Sequence, residues 1–466
     1  MGLLWMTAGA APYAQTPWPA THGDGRNANT VDFSLPLKQN IAWRALEDRA
    51  VVQAATIGPS GRIYVTTGRG RGYPSLTALS RDGQILWESS PYWNAWDLDS
   101  WAILSSAVVD EKEDLYLTDG RQFWAVHGDG TLKWKKPLFP ALKPSLSVQF
   151  LKSAVVAVTG DGWVLARNRE NGRLAALPFR LPWVASPTPP PSFLEGLFPL
   201  SILVDPEIIF ELNAVFQGFS WPVANTPAVH PTLSRLYIPA RRREAENISR
   251  QKFFGKSGEE RPQRGDLALY AVDFHEDKGL FSLAFMTFLS KEWGAASPVV
   301  SKDGKRVYVG SNRREIAAID AYTGEILWRK GFSGGILGAP TEGVDGTLYV
   351  IAGSVVALSP EDGQTLWEKD MRDLIVTPVG EGRAGAFADS IITASANALY
   401  LTAMANRAPY FLILDPKTGN RLSEPLLLPA SCEAYVTVDR DGSAYVSHYG
   451  YLTNTLSSGG ITALKP

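Results

Sequence analysis

The groups in this chain that could do chemistry are few and scattered. Its five histidines, His22, His127, His230, His275 and His448, stand singly, and no two have the spacing that would put both on one metal ion. Cys432 is the only cysteine, so neither an intramolecular disulfide nor a thiolate zinc site can form. The carboxylates able to offer hard oxygen ligands or a catalytic base at a ring axis are Asp97, Asp99, Asp110 and Glu292. No motif maps them onto one centre, and they read as surface or turn carboxylates. No glycine-rich phosphate loop leads from a strand into a helix, and no nucleophile elbow occurs. The sequence therefore assigns no catalytic, cofactor-binding or metal-ligating residue. The candidates for touching a partner are apolar: Phe193, Phe198, Phe210, Phe216 and Trp221, in a proline-stiffened stretch at about 181–225. That stretch is too apolar to float free in water. It either folds back as a lid over one mouth of the molecule or docks a partner or membrane surface.

The elements that must carry these groups are β-strands. Fifteen Trp, 16 Tyr and 19 Phe among 466 residues, with 42 Gly and 32 Pro, suit many short strands joined by turns. A formal charge of −2 argues against a nucleic-acid binder, which carries a basic excess. No segment offers the roughly 18 uninterrupted apolar residues of a membrane-spanning helix. Before Asp24 there is no charged residue, and Met1–Thr7 runs into Ala8-Gly9-Ala10, a small-x-small pattern. Residues 1–15 read as the tail of a signal peptide without its basic region, which implies an exported, periplasmic protein.

One unit recurs along the chain: a strand of small residues, an Asp-Gly turn, an aromatic or branched strand, a strand ending in Ala-x-Asp, a glycine turn and an aromatic strand. Its clearest copy holds Ser297-Pro298-Val299-Val300, Val307-Tyr308-Val309, Ala318-Ile319-Asp320-Ala321-Tyr322-Thr323-Gly324 and Ile326-Leu327-Trp328. The next holds Ala339-Pro340-Thr341, Leu348-Tyr349-Val350, Asp362-Gly363 and Thr365-Leu366-Trp367. Eight copies can be counted. The last, around Tyr445 and Thr462-Ala463-Leu464, lacks a fourth strand, and an orphan strand, Asn40–Arg44, precedes the first. These facts predict an all-β fold, a single eight-bladed β-propeller of four-stranded antiparallel blades, closed by pairing of the N- and C-terminal strands. Residues 16–39 form a lead-in and 40–466 the ring, with insertions at about 181–225 and 241–264. The second insertion is rich in arginine and reads as a solvated loop, or a contact for an acidic partner or anionic headgroups. Asn247-Ile248-Ser249 matches a glycosylation sequon.

The run Ala318–Trp328 resembles the tryptophan-docking motif of pyrroloquinoline-quinone (PQQ) dehydrogenase repeats, and the resemblance extends from about Trp43 to Leu464. Thr16-Pro17-Trp18-Pro19-Ala20-Thr21-His22-Gly23-Asp24 is similar to the lead-in of such proteins. The resemblance implies one of two uses. Quinoprotein dehydrogenases hold PQQ and calcium over the axis, whereas BamB-like members are non-enzymatic protein-binding scaffolds. A dehydrogenase of this family typically carries a vicinal cysteine pair, which this chain cannot form. The expectation is therefore an exported, monomeric binding scaffold without cofactor, presenting one face to a protein or small ligand. The alternative is a PQQ- and calcium-dependent dehydrogenase of alcohols or sugars.

Overall fold

Each repeat forms one antiparallel sheet whose strands pair in chain order, and eight such sheets make the ring. The computed structural model describes residues 13–138, 145–184, 223, 225–242, 267–290, 296–311, 314–336, 338–375, 384–385, 391–405, 408–430, 435–449 and 459–466. Blade 2 shows the plan, with Val108–Val109 innermost, then Leu115–Thr118, Gln122–Val126 and Leu132–Pro137 outermost. Leu115–Thr118 is buried along its whole length. Neighbouring blades cover both faces of such a strand, so second strands read as unbroken apolar runs and not as alternation.

The ring closes as the orphan strand predicts. Asn40–Ala45 pairs antiparallel with Gly460–Lys465, placing Trp43 opposite Ala463, and this strand completes the sheet of Val436–Val438 and Ala444–His448. The Trp43 and Tyr445 rings lie 5.9 Å apart. Blade 7 departs from four strands: Ala384–Gly385 and Thr393–Ala394 both pair with Leu399–Ala405.

Blades are joined by aromatic wedges seated on glycine turns. The indole N–H groups of Trp43, Trp87, Trp134, Trp328 and Trp367 donate to Arg81, Gly128, Arg169, Pro360 and Pro416 carbonyls of the next blade, at 2.9–3.0 Å. Each ring lies over that turn's glycine. At Gly363, φ is +71° and an added Cβ would sit 2.6 Å from Trp328. Only glycine meets both demands, a left-handed backbone and a flat aromatic neighbour. The Tyr349 hydroxyl donates to the same carbonyl as Trp367, and the Tyr64 and Tyr116 hydroxyls lie 3.4 and 3.2 Å from the carbonyls that Trp87 and Trp134 bond. Asp320 shapes its turn by accepting from the Tyr322 and Thr323 amides. At a further junction Phe285 takes the tryptophan's place over Gly324, while Pro36 of the lead-in sits against Gly442 in the first turn of blade 8.

Candidate binding face

A four-stranded meander sends the turns after the first and third strands to one side of the ring. The second–third turns and the blade-to-blade links go to the other. The two mouths of the axis are therefore built from different residues.

On the first side the lead-in lies across the mouth. The innermost strands converge with backbone N–H and C=O groups facing the axis, and buried groups of that kind need partners. Residues 13–35 supply them. The Trp18, Pro19, Gly25, Arg26, Ala28 and Asn29 carbonyls accept from Ile57, Val109, Val229, Val300, Glu342 and Ala394, in six different blades, at 2.6–3.1 Å. Asn27 and Asn29 adopt φ of 62° and 54°, which asparagine tolerates better than most residues. Their side-chain amides donate to Thr226 and Pro298, and to Pro340. Thr21 reaches Ser147, and the Tyr13 hydroxyl bonds Gln149. Tyr13 and Ala14 are buried, so the packed lead-in starts before residue 16. Inner-strand hydroxyls also tie blade to blade: Thr56 to Ala107, Thr341 to Ile392, Thr393 to Val436 and Thr437 to Ala55.

His22 belongs to this plug. Its Nδ1 is 2.9 Å from Asn29 Oδ1, and its ring packs on Tyr435 at 5.2 Å. Burial holds the imidazole neutral, lowering its pKa to about 4. Beside the plug, a cleft of about 230 Å³ is lined by Arg26, Asp32, Phe33, Lys302, Glu342 and Arg440 among others. Its buried cation is already matched, since Arg26 pairs with Glu342 at 2.8 Å and with Asp24 at 3.0 Å.

The sequence-read carboxylates do not converge. Asp110 lies in the first turn of blade 2, on the plugged side, accepting from the Lys112 and Asp114 amides and the Tyr116 hydroxyl, with Arg169 at 3.2 Å. Asp97 accepts from the Trp93 and Asn94 amides. Asp99 caps the short 3-10 turn Ser100–Leu104 and also accepts from Gly120. Glu292 lies outside the described residues. No group of three metal-ligating side chains occurs among the described residues, so this donor set does not fit a calcium centre. The remaining histidines hold local structure: His127 bonds Asp114, His230 bonds Gly304, His275 bonds Ser282 and His448 bonds Thr462. Phe193, Phe198, Phe210, Phe216 and Trp221 lie outside the described residues, as do Cys432 and the sequon.

The second side carries a feature that sequence reasoning missed. In the link between blades 1 and 2, Trp93 and Trp96 are 64% and 74% exposed. The loop holding them is built: Asn94 accepts from the Trp96 amide, Gln122 donates to Ala95, and Lys135 donates to the Trp96 carbonyl at 2.6 Å. Trp93 also packs over Gly72. Beneath lies Asp119, fully buried, accepting from the Arg121 and Gln122 amides and the Trp124 indole. Burial, and then the charge of Asp99, raise its carboxyl well above the usual range. Trp183, 64% exposed, stands at the start of the apolar insertion on the same side. The signal for the pair was legible as Trp93-Asn94-Ala95-Trp96, two indoles in a polar link.

Comparison with known proteins agrees with this architecture. Residues 270–447 match the family model described as outer membrane protein assembly factor BamB. Among solved structures, BamB from Moraxella catarrhalis aligns with a TM-score of 0.53 at 13% identity, over 92% of this chain and 100% of that one. A quinohemoprotein alcohol dehydrogenase from Pseudomonas putida aligns with a TM-score of 0.62 at 15% identity, over 97% of this chain and 80% of that one. The corresponding enzyme from Comamonas testosteroni gives 0.60 at 13%, over 98% and 81%. No curated protein matches in sequence. Repeat pattern, ring closure and these likenesses together show an eight-bladed β-propeller, whose residues 270–447 are similar to the BamB family model.

Proposed function

We propose that this protein is an exported binding scaffold whose working surface is the side opposite the plug. The observation that carries the reading is the exposure of Trp93 and Trp96 on a loop fixed by its own hydrogen bonds. Large aromatic side chains held rigidly in water are costly to hydrate and lose little entropy when covered, which is why they concentrate at interaction sites. The plug supports the same reading, because it occupies one mouth and leaves the links on the other side for contact. BamB as an assembly factor is consistent with a protein ligand. The sequence-read apolar insertion would enlarge that surface.

The test is a photo-crosslinking residue at position 94 in the cell envelope, with and without Trp93→Ala and Trp96→Ala. Adducts at position 94 should disappear in the double variant while its melting temperature stays within a few degrees of the parent. Unchanged adducts would remove the reading. A second reading, a quinoprotein dehydrogenase, is favoured by the alignment over 97% of the chain with a quinohemoprotein enzyme. Adding PQQ and Ca²⁺ with alcohols or sugars and following dye reduction separates the two.

A further inference from the structure

We propose that the Trp93–Trp96 loop, with Arg71 on one side of it and Arg121 on the other, is a docking site for an acidic segment of a partner protein; the inference rests on the binding-face reading and names its ligand. The loop is laced to the two turns that carry these arginines. On the blade 1 side, Gly72 donates to the Tyr92 carbonyl at 2.7 Å, Tyr92 donates to Tyr73 at 3.1 Å, and Trp93 packs over Gly72. On the blade 2 side, Gln122 donates to the Ala95 carbonyl at 3.1 Å. Arg71 precedes Gly72 and Arg121 precedes Gln122, so each guanidinium springs from a residue next to one that holds the loop. Both arginines are exposed, and neither has an ion pair among the described residues.

The charge around the loop is one-sided. Arg69 is already matched, pairing with Asp48 at 2.8 Å and stacking on Tyr73 at 4.2 Å. Lys135 holds the loop itself: it donates to the Trp96 carbonyl and lies 5.7 and 4.9 Å from the Trp96 and Trp124 ring centres. The carboxylates are committed too. Glu88 pairs with Arg49 at 2.6 Å, Asp97 accepts from the Trp93 and Asn94 amides, and Asp99 and Asp119 are buried against backbone amides. Arg71 and Arg121 therefore stand in solvent beside two indoles, with none of these carboxylates left to answer them.

Unmatched charge beside a fixed apolar surface selects its complement. A guanidinium is planar and presents paired N–H donors, which fit a carboxylate through two parallel charge-assisted bonds. The indoles add apolar area that loses little entropy when covered. A segment with Asp or Glu on either side of an apolar residue meets both demands. An anionic bilayer meets them less well. It gains only about 1 kcal/mol from each free cation, and indoles that anchor in headgroups must project, whereas Trp93 lies against Gly72 in a loop held down on both sides.

The photo-crosslinking residue at position 94 tests this when the captured segment is sequenced by mass spectrometry. That segment should be acidic, and Arg71→Glu with Arg121→Glu should lower the adduct yield at least about tenfold at an unchanged melting temperature. Lys305→Glu, on the plugged side, should leave the yield as it is. Fluorescence anisotropy gives a second arm. A labelled peptide of alternating Glu and Leu should bind the full chain, less tightly as salt rises, and its Gln counterpart at least about tenfold more weakly. The double Glu variant should reverse that preference, towards a peptide of alternating Lys and Leu. A captured segment without acidic excess, adducts indifferent to both arginines, or a preference that the variant does not reverse overturns the proposal. So does binding to phosphatidylglycerol vesicles with none to the acidic peptide. Adducts lost in Trp93→Ala with Trp96→Ala but kept in the arginine variant remove the acidic partner and leave the binding face standing; adducts kept in both remove the face itself.

Discussion

Gly363 shows how single positions carry the joints between blades. Its φ of +71° disfavours any side chain, and Trp328 occupies the space a Cβ would take. Gly363→Ala is expected to cost roughly 2 kcal/mol, read as a lower urea midpoint with unchanged slope. His22 makes a different kind of statement. Its folded pKa lies near 4, against an ordinary value of 6.5. Below about pH 6.5 the unfolded chain takes a proton that the folded chain refuses. The contribution is thus complete above 6.5 and is lost as pH falls towards 4, by roughly 3 kcal/mol. His22→Gln should flatten that part of the stability profile relative to wild type, measured by urea titrations at several pH values. Asp119 acts with the opposite sign, its contribution present at low pH and lost as pH rises through its raised value, so the difference between variant and wild type is the proper readout. The sequence showed Gly363 through its repeated turn. It did not show the setting of His22, because the fold of the lead-in brings Asn29 back to it and Tyr435 reaches it only through the closed ring.

Among the elements, the outermost strands repay comparison. Trp43 was legible as the missing fourth strand because it repeats the shape of Trp87, Trp134, Trp328 and Trp367. Trp43→Ala removes the indole bond to Arg81 and the cover over Gly83 at the closing junction. Because the ring is half-buried, a loss of about 2 kcal/mol is expected, seen as a lower melting temperature in calorimetry. The fourth strand of blade 4 was not legible. Phe285 stands where tryptophan recurs, and the insertion before Leu267 breaks the spacing, so the repeat is traceable through Ala228-Val229, Leu236-Tyr237-Ile238 and Ala271-Val272-Asp273 but fades after the turn at Gly279. The inner strand Ser145–Leu151 escaped notice for a related reason, since it is seven residues long where most inner strands have two. Periodicity reveals units that keep their spacing, and both of these depart from it.

Across the whole molecule, the ring was readable and the plug was not. Small-residue strands and glycine turns recur around the ring, with tryptophan at five junctions, and leave a statistical trace. The lead-in occurs once, and much of its role is played by backbone carbonyls that leave no mark on residue type. Asn27 and Asn29 are its visible part, two asparagines whose left-handed backbone and paired amides only make sense once six blades surround them. The candidate surface divides the same way: the Trp93–Trp96 pair stands in one link of one blade, outside any repeated pattern. The apolar insertion at about 181–225 stands out in the sequence because it is long, whereas the built loop is short.

The strand Gly460–Lys465 lies between Ala444–His448 and Asn40–Ala45, with Ala45 set against Ile461. Every other blade can form from contiguous chain, but this one waits for two segments from far apart in the sequence. Until Gly460–Lys465 is available, Asn40–Ala45 has no partner and the circle has no seam to fasten. Whatever withholds that one strand leaves a nearly complete ring with an open rim.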